Sequence, residues 1–389
     1  MEMKEKNTIT TKLLLASVAV VTAGVLFYNV MPLYLGQLQE SNGFSLAQTG
    51  LIASLFFGGF NIASFSSYFW VRKAPLFQTT LGLTILLILG LLLAIYPYGF
   101  FYQAVITSTI GFISGAIASI AFTIAGDAKD STRWYGLQTA TNSASGVILL
   151  FLLPVTLIPI YGFSGLVYGM IITLILLMPA YLYLVRTPLP TPSAIIADEK
   201  NDVTSSQNLP RTPALIALAA VALLLVGASA VWAFIERIAA INEFDPDAVG
   251  MLLGISLVFA VIGSLMAAAI GNRFGNILPY LINCLLMIVG IMVIAATDVL
   301  VSYTVGACIF LFGWAAATAY AYSIVADVDP DGKHVALSVL AVGIGSMIGP
   351  ASAGFLLDYG SLQLLQWMVI ATVVASVFLA WMSTRPAIG

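Results

Sequence analysis

Between Ala74 and Gly126 the chain carries no charged side chain, and the same holds from Trp134 to Val185 and from Thr212 to Ile235. A helix needs about 20 apolar residues to cross the hydrocarbon of a bilayer, so the first two intervals each hold two crossings and the third holds one. Lipid offers a peptide group no hydrogen-bond partner, which leaves helices or closed barrels as the only spanning structures. These runs lack the period-two alternation of barrel strands. The sequence therefore predicts an all-α membrane protein. Its 8% charged residues agree, since a soluble domain carries roughly 25%.

The direction of the crossings comes from the 14 Lys and Arg residues. Lys4, Lys6 and Lys12 precede the first span, and Arg72, Lys73, Lys129 and Arg133 follow the second and fourth. Arg186, Lys200 and Arg211 lie in a central link, and Arg273, Lys333 and Arg385 complete one side. Only Arg237 falls on the other side. Short loops hold their Lys and Arg in the cytoplasm, so both termini are expected there, in a bacterial inner membrane. The run from Leu13 to Leu35 exceeds a signal-peptide core and no A-x-A-like site follows it, so cleavage is not expected.

Twelve spans are expected, at about 13–35, 46–69, 76–96, 99–125, 133–157 and 163–185, then 213–235, 247–270, 277–296, 299–325, 334–357 and 362–382, with boundary errors of several residues. Outer turns such as Tyr96-Pro97-Tyr98-Gly99 and Pro159-Ile160-Tyr161-Gly162 are Gly/Pro punctuation. Residues 187–212 mix Pro with Ser, Asp, Glu and Asn and read as a cytoplasmic linker. That linker separates an N-terminal six-helix bundle, 1–186, from a C-terminal one, 213–389. The halves repeat: Asp127 and Arg133 recur as Asp327 and Lys333 at an offset of 200, and Arg72 recurs as Arg273 at 201. Parallel six-span halves are one transporter architecture.

The loop Ala268-Ala269-Ile270-Gly271-Asn272-Arg273-Phe274-Gly275, with Gly349-Pro350 and Gly354 in the eleventh span, resembles the major facilitator superfamily. The resemblance covers nearly the whole chain. Ala268 and Asn272 depart from the family's G-x-L-a-D-R-x-G signature, and the first-half copy around Phe69-Trp70-Val71-Arg72-Lys73 keeps only its basic residues. The resemblance implies two pseudo-symmetric bundles around a central cavity, lined by helices 1, 4, 7 and 10. It also implies that the basic loops latch one access state through charge.

Ionisable groups inside a membrane are expensive and are the default functional candidates. Glu236 and Arg237 come closest, at the outer end of the seventh span. They read either as a gate or proton-titrating pair, or as an interfacial pair in water. Neighbours on a helix point about 100° apart, so the two are expected to serve different partners. Asp127 with Arg133, and Asp327 with Lys333, read as helix-end pairs or as a cytoplasmic latch, with Arg273 beside the second. For substrate binding, position in the family's inner and flanking helices selects Tyr28, Asn29, Asn142, Trp232, Trp314 and Tyr320, against the alternatives of packing for the aromatics and interhelical bonding for the amides. Gly111/Gly115 and Gly345/Gly349 read as packing pairs.

Cys284 and Cys308 sit inside spans, and His334 stands alone in a loop, so no metal or other cofactor is expected. No nucleophile–base pair or paired acid is visible in the spans, which argues against an enzyme. The net charge of −3 argues against nucleic-acid binding. The expected partners are a small-molecule substrate, with H+ left open as a coupling ion, and the lipid bilayer; a monomer is expected. With no central cation or acid, the substrate is expected to be neutral or weakly charged. A secondary transporter working by alternating access is the main reading, and a lipid or amphipath translocator on the same fold is the alternative.

Overall fold

The structure, a computed structural model, describes residues 11–128, 131–184, 212–329 and 338–385. The linker call at 187–212 falls outside these residues except for Thr212, as do Lys333 and the side chain of Arg133. The chain forms α1 (Thr11–Asn29), α2 (Met31–Asn42), α3 (Leu46–Trp70), α4 (Leu76–Ala94), α5 (Phe100–Gly126) and α6 (Ser131–Val155). A short α7 (Ile158–Tyr161) leads into α8 (Phe163–Leu177), which tightens into a 3-10 turn, Met178–Tyr183. The second half contains α9 (Thr212–Ile241), α10 (Pro246–Ile270), α11 (Ile277–Ala296), α12 (Leu300–Asp327), α13 (Ser338–Tyr359) and α14 (Leu362–Ser383). Twelve helical segments among the described residues are long and apolar enough to cross a membrane. The expected all-α membrane fold is present, and the protein is a multi-pass integral membrane protein.

The first span differs from its expected limits. The sequence suggested one helix over 13–35, whereas α1 stops at Asn29 and α2 carries the chain on to Asn42. Pro32 is the cause. It has no N–H to offer the Tyr28 carbonyl and its ring crowds that oxygen, so the helix breaks at Val30 and restarts. Gly43, in the left-handed region at φ 65°, ends α2. Ser45 then starts α3 with a reciprocal capping box to Gln48.

Packing repeats between the halves. Helix α5 lies against α3 and α4 as α12 lies against α10 and α11, and α1 packs on α6 as α9 packs on α13. Single contacts also recur. Gly90 of α4 lets Ile110 of α5 approach, and Gly290 of α11 does the same for Phe310 of α12, each shifted by 200 residues. Gly111 and Gly115 of α5 meet the backbone carbonyls of Phe56 and Phe60 on α3, and Gly345 and Gly349 of α13 meet those of Ala222 and Val226 on α9. Close backbone approach of this kind is how helices associate in lipid.

Exposed aromatic residues gather at both ends of the bundle. Tyr68 and Phe69 lie at the end that carries Arg72 and Lys73, here called the basic end; Tyr96, Tyr98, Tyr161 and Tyr359 lie at the opposite, far end. Amphipathic rings favour the two membrane–water boundaries, and the twelve helices run between these belts.

Candidate functional site

The break in α1 builds the centre of the molecule. With Pro32 unable to donate, the Tyr28 carbonyl accepts instead from the indole N–H of Trp232 on α9, at 3.2 Å. A helix defect in one half is thus satisfied by a side chain of the other. Tyr28 lies edge-on to Phe57 at 5.7 Å between ring centroids and 6.4 Å from Trp232. Next to it, the Asn29 amide donates to the Asn142 side-chain oxygen on α6 at 2.6 Å and to the Asn142 carbonyl at 3.1 Å. Gly146, one turn along α6, keeps room for Asn29 and for Leu257 of α10.

Beyond this centre, toward the far end, the halves are sealed. Arg237 donates through Nη2 to Glu40 on α2 at 2.7 Å and to Glu236 at 2.8 Å, while its Nε bonds Glu236 at 2.7 Å. Gln39 receives a longer bond, 3.4 Å. Gly36 of α2 lies directly over the Glu236 carboxylate, where any larger side chain would collide. The seam between α3 and α13 is equally tight. Pro350 disrupts the α13 ladder, and the N–H of Ala351 is taken up by Ser54 of α3 at 2.9 Å. Gly50 faces the Pro350 carbonyl and Gly354 faces that of Leu46. The Asp358 carboxylate accepts from the Ala47 N–H at 3.4 Å, at the positive N-terminal end of α3. On the other flank, Gly250 of α10 packs on Pro154 of α6.

The α3–α13 seam continues past the middle toward the basic end, with Gly343 against the Asn61 amide and Gly58 against the Met347 sulfur, whereas α1 and α9 part there. From Thr22 to Gly36 no residue of α1 or α2 is exposed, and none of α9 from Ala220 to Arg237, yet Leu15, Leu215 and Ala219 are open. Tyr322 of α12 is likewise 39% exposed. The two halves are thus sealed at the far end. Along α1, and along α9 as far as Arg237, exposed residues appear only on the basic side of an aromatic and amide layer.

No family model matches the sequence, and no curated protein matches it. Solved structures do match, along nearly the whole chain. The nucleoside transporter NupG is 12% identical, with a TM-score of 0.71 over 96% of this chain and 98% of that one. A variant of NupG, again 12% identical, reaches 0.76 over 97% and 100%. A bacterial homologue of the human lysosomal transporter Spinster, inward-facing and unoccupied, is 14% identical with a TM-score of 0.69 over 95% of each chain.

This is the fold of the major facilitator superfamily.

Within the major facilitator fold the residues singled out from the sequence fall into three places. Tyr28, Asn142 and Trp314 are half-buried, Trp314 packing against the core of the second half. Asn29, Trp232 and Tyr320 are 4%, 2% and 3% exposed. The first two form the roof behind Tyr28. Tyr320 lines a niche of about 440 Å³ between α10 and α12, and its buried hydroxyl has no partner among the described residues. Glu236 and Arg237 were expected to serve different partners, but they bond each other; their long side chains fold back over the helix end, and Arg237 spans to Glu40 as well.

At the basic end both acids of the expected pairs have partners of their own among the described residues. Asp127 binds Arg72 through both oxygens, at 2.7 and 2.9 Å; the side chain of Arg133, its expected partner, lies outside the described residues. The hydrogen bonds to Asp127 raise the affinity of Arg72 for its proton above that of an ordinary guanidinium. Asp327 accepts from the Asn276 amide at 2.6 Å, and Arg273 is exposed without an ion pair among the described residues. Glu40, Asp358 and Ser54, which tie the halves together, were not singled out from the sequence. The available signal was their place, one at each far end of α2 and α13 and one facing the Gly-Pro element.

Removing the Asn142 side chain strands the buried Asn29 amide. An unsatisfied buried donor costs about 1–3 kcal/mol, so Asn142→Leu should lower the melting temperature, and Asn29→Leu combined with it should recover part of the loss. Equal melting of wild type and single variant would show that the pair contributes nothing.

Proposed function

We propose that the protein is a secondary transporter that moves a small, neutral or weakly charged organic solute by alternating access between its two halves. The observation that carries this reading is the one-sided closure. Three inter-half seams meet at the far end, while uncharged residues of α1, α9 and α12 lie open at the basic end. The roof of Tyr28, Trp232 and Asn142 offers ring faces and an amide rather than a charge, which suits a solute with apolar surface and a few polar groups. NupG, a nucleoside transporter, shares the fold, and its named substrate class is a reasonable part of the first panel.

A thermal-shift screen of the purified protein against metabolites and drugs identifies the ligand, since binding raises apparent stability with ligand concentration over Kd. The hit should then be taken up by liposomes containing the protein. Binding without transport of any soluble hit, with translocation of an amphipath instead, would favour a lipid translocator.

The basic end is assigned to the cytoplasm. Single cysteines replacing Ser205 and Pro159, probed in whole cells with an impermeant thiol reagent, should label only at position 159. Labelling at 205 would invert the orientation.

Glu236 is the carboxylate we assign to proton loading, because it sits where the far-end seal must break and re-form. Glu236→Gln should abolish accumulation driven by a pH gradient while leaving substrate exchange intact. Full gradient-driven accumulation in that variant would leave Glu236 as a sealing residue alone.

A further inference from the structure

A second binding feature lies on the outer surface of the second half. Helices α11 and α14 are held together on their inner side by the Tyr280 hydroxyl and Ser376, 2.6 Å apart. Outward of that contact they diverge into a groove of about 510 Å³, walled by Leu281, Cys284, Leu285, Val374, Phe378 and Trp381. Toward the basic end the groove runs into a second hollow of about 470 Å³ that shares Ile277 and Leu281 with it. There the wall turns polar: Asn276, Asp327 and Thr384 replace the aliphatic side chains. Arg385 lies flat on the Trp381 ring, its guanidinium carbon 3.3 Å from the ring centroid, which fixes a cation at the junction.

We propose that this groove binds a phospholipid whose headgroup carries both a phosphate and a primary ammonium, with the phosphate on Arg385 and the ammonium on Asp327. The apolar length takes an acyl chain and selects nothing, because every bilayer lipid has one. Selection comes from the mouth. Its charged groups are Arg385, stacked on Trp381, and Asp327. A purely anionic headgroup would bring a phosphate against the Asp327 carboxylate with no cation of its own to offset it. A quaternary ammonium has no N–H to donate. A primary ammonium donates to the carboxylate while its phosphate meets the guanidinium, and charge-assisted bonds of both kinds are the strong ones.

The first half supplies an internal contrast. At the position equivalent to Asp327, both oxygens of Asp127 are taken by Arg72. Asp327 receives a hydrogen bond on Oδ2 alone among the described residues, from Asn276. The repeat has kept the carboxylate and, in the second half, left it turned toward a lipid-facing hollow.

Delipidated protein, titrated with phosphatidylethanolamine, phosphatidylcholine or phosphatidylglycerol and read by native mass spectrometry, tests the assignment. Phosphatidylethanolamine should be retained over phosphatidylcholine by about tenfold, the effect expected of one charge-assisted hydrogen bond. Asp327→Asn should erase that preference, and Arg385→Ala should weaken all three lipids. Val377→Trp, which fills the groove without touching the mouth, should displace them all. Equal retention of the three lipids by the wild type, a preference for phosphatidylglycerol, or an unchanged lipid profile in Val377→Trp would each overturn the proposal.

Discussion

Gly354→Val opens the far end of the protein. A Cβ at residue 354 would collide with the Leu46 carbonyl, which belongs to the other half. Overpacking costs about 1–3 kcal/mol when neighbours must shift, and about 1.4 kcal/mol is a factor of ten in a population. Here the strain has an escape: the halves part and the collision vanishes without any helix unfolding. The variant should therefore shift the conformational equilibrium about tenfold or more toward a far-open state. A cysteine at Ser54, buried at the α3–α13 seam, should react correspondingly faster with an impermeant thiol reagent once Cys284 and Cys308 are replaced by Ala. Gly111→Val is the control. Its Cβ would strike the Phe56 carbonyl within the same half, where no hinge relieves it, so it should lower melting temperature without exposing residue 54. Slow labelling with lowered stability in Gly354→Val would mean that the seam is a fixed part of one core.

Arg237→Ala should be the most damaging single change among the charged residues. The guanidinium neutralises two carboxylates of very different burial: the Glu236 side chain is 13% exposed and that of Glu40 is 54% exposed. Exposed pairs contribute at most about 1 kcal/mol, whereas breaking a buried pair by removing one partner costs about 3–5 kcal/mol. Most of the effect therefore falls on Glu236. Uptake should drop at least about tenfold on that scale, and Glu40→Gln should cost little. Lysine is not an equivalent replacement, because the Arg237 fork reaches Glu236 and Glu40 at once. Restoration of substrate exchange in Arg237→Ala by adding Glu236→Ala, with gradient-driven accumulation still absent, would locate the damage in the stranded charge. Equal losses for Arg237→Ala and Glu40→Gln would contradict this division.

The membrane crossings were legible because hydropathy and loop charge depend on composition alone. Arg237 stood out for the same reason: it is the one cation at the far end. What composition could not show was rotation. Helices α1 and α9 are apolar on nearly every side, so no polar stripe phases them, and the sequence did not show that Trp232 turns its indole N–H to the Tyr28 carbonyl or that the Tyr320 hydroxyl is buried without a partner among the described residues. The longer first span was hidden because Pro32 sits inside an apolar run, and a backbone break changes geometry without changing hydropathy. The bond from Arg72 to Asp127 was also out of reach. Arg133 is its sequence neighbour, but Arg72 arrives from the end of α3 only after α3 and α5 pack. Glu40 and Asp358 were not singled out, because their role appears only when the second half closes on the first.

The central claim is that two six-helix halves rock about the roof formed by Tyr28, Trp232 and the Asn29–Asn142 pair, so that the two ends open in turn. Paired spin labels give the direct measurement, one pair at Ser41 and Ala240 on the far end and one at Lys73 and Asn272 on the basic end. All four positions are exposed. In the wild type the far-end pair should be close and the basic-end pair distant; in Gly354→Val the far-end distance should lengthen as the basic-end distance shortens. Distances that move together, or that stay fixed at both ends, would contradict alternating access in this protein.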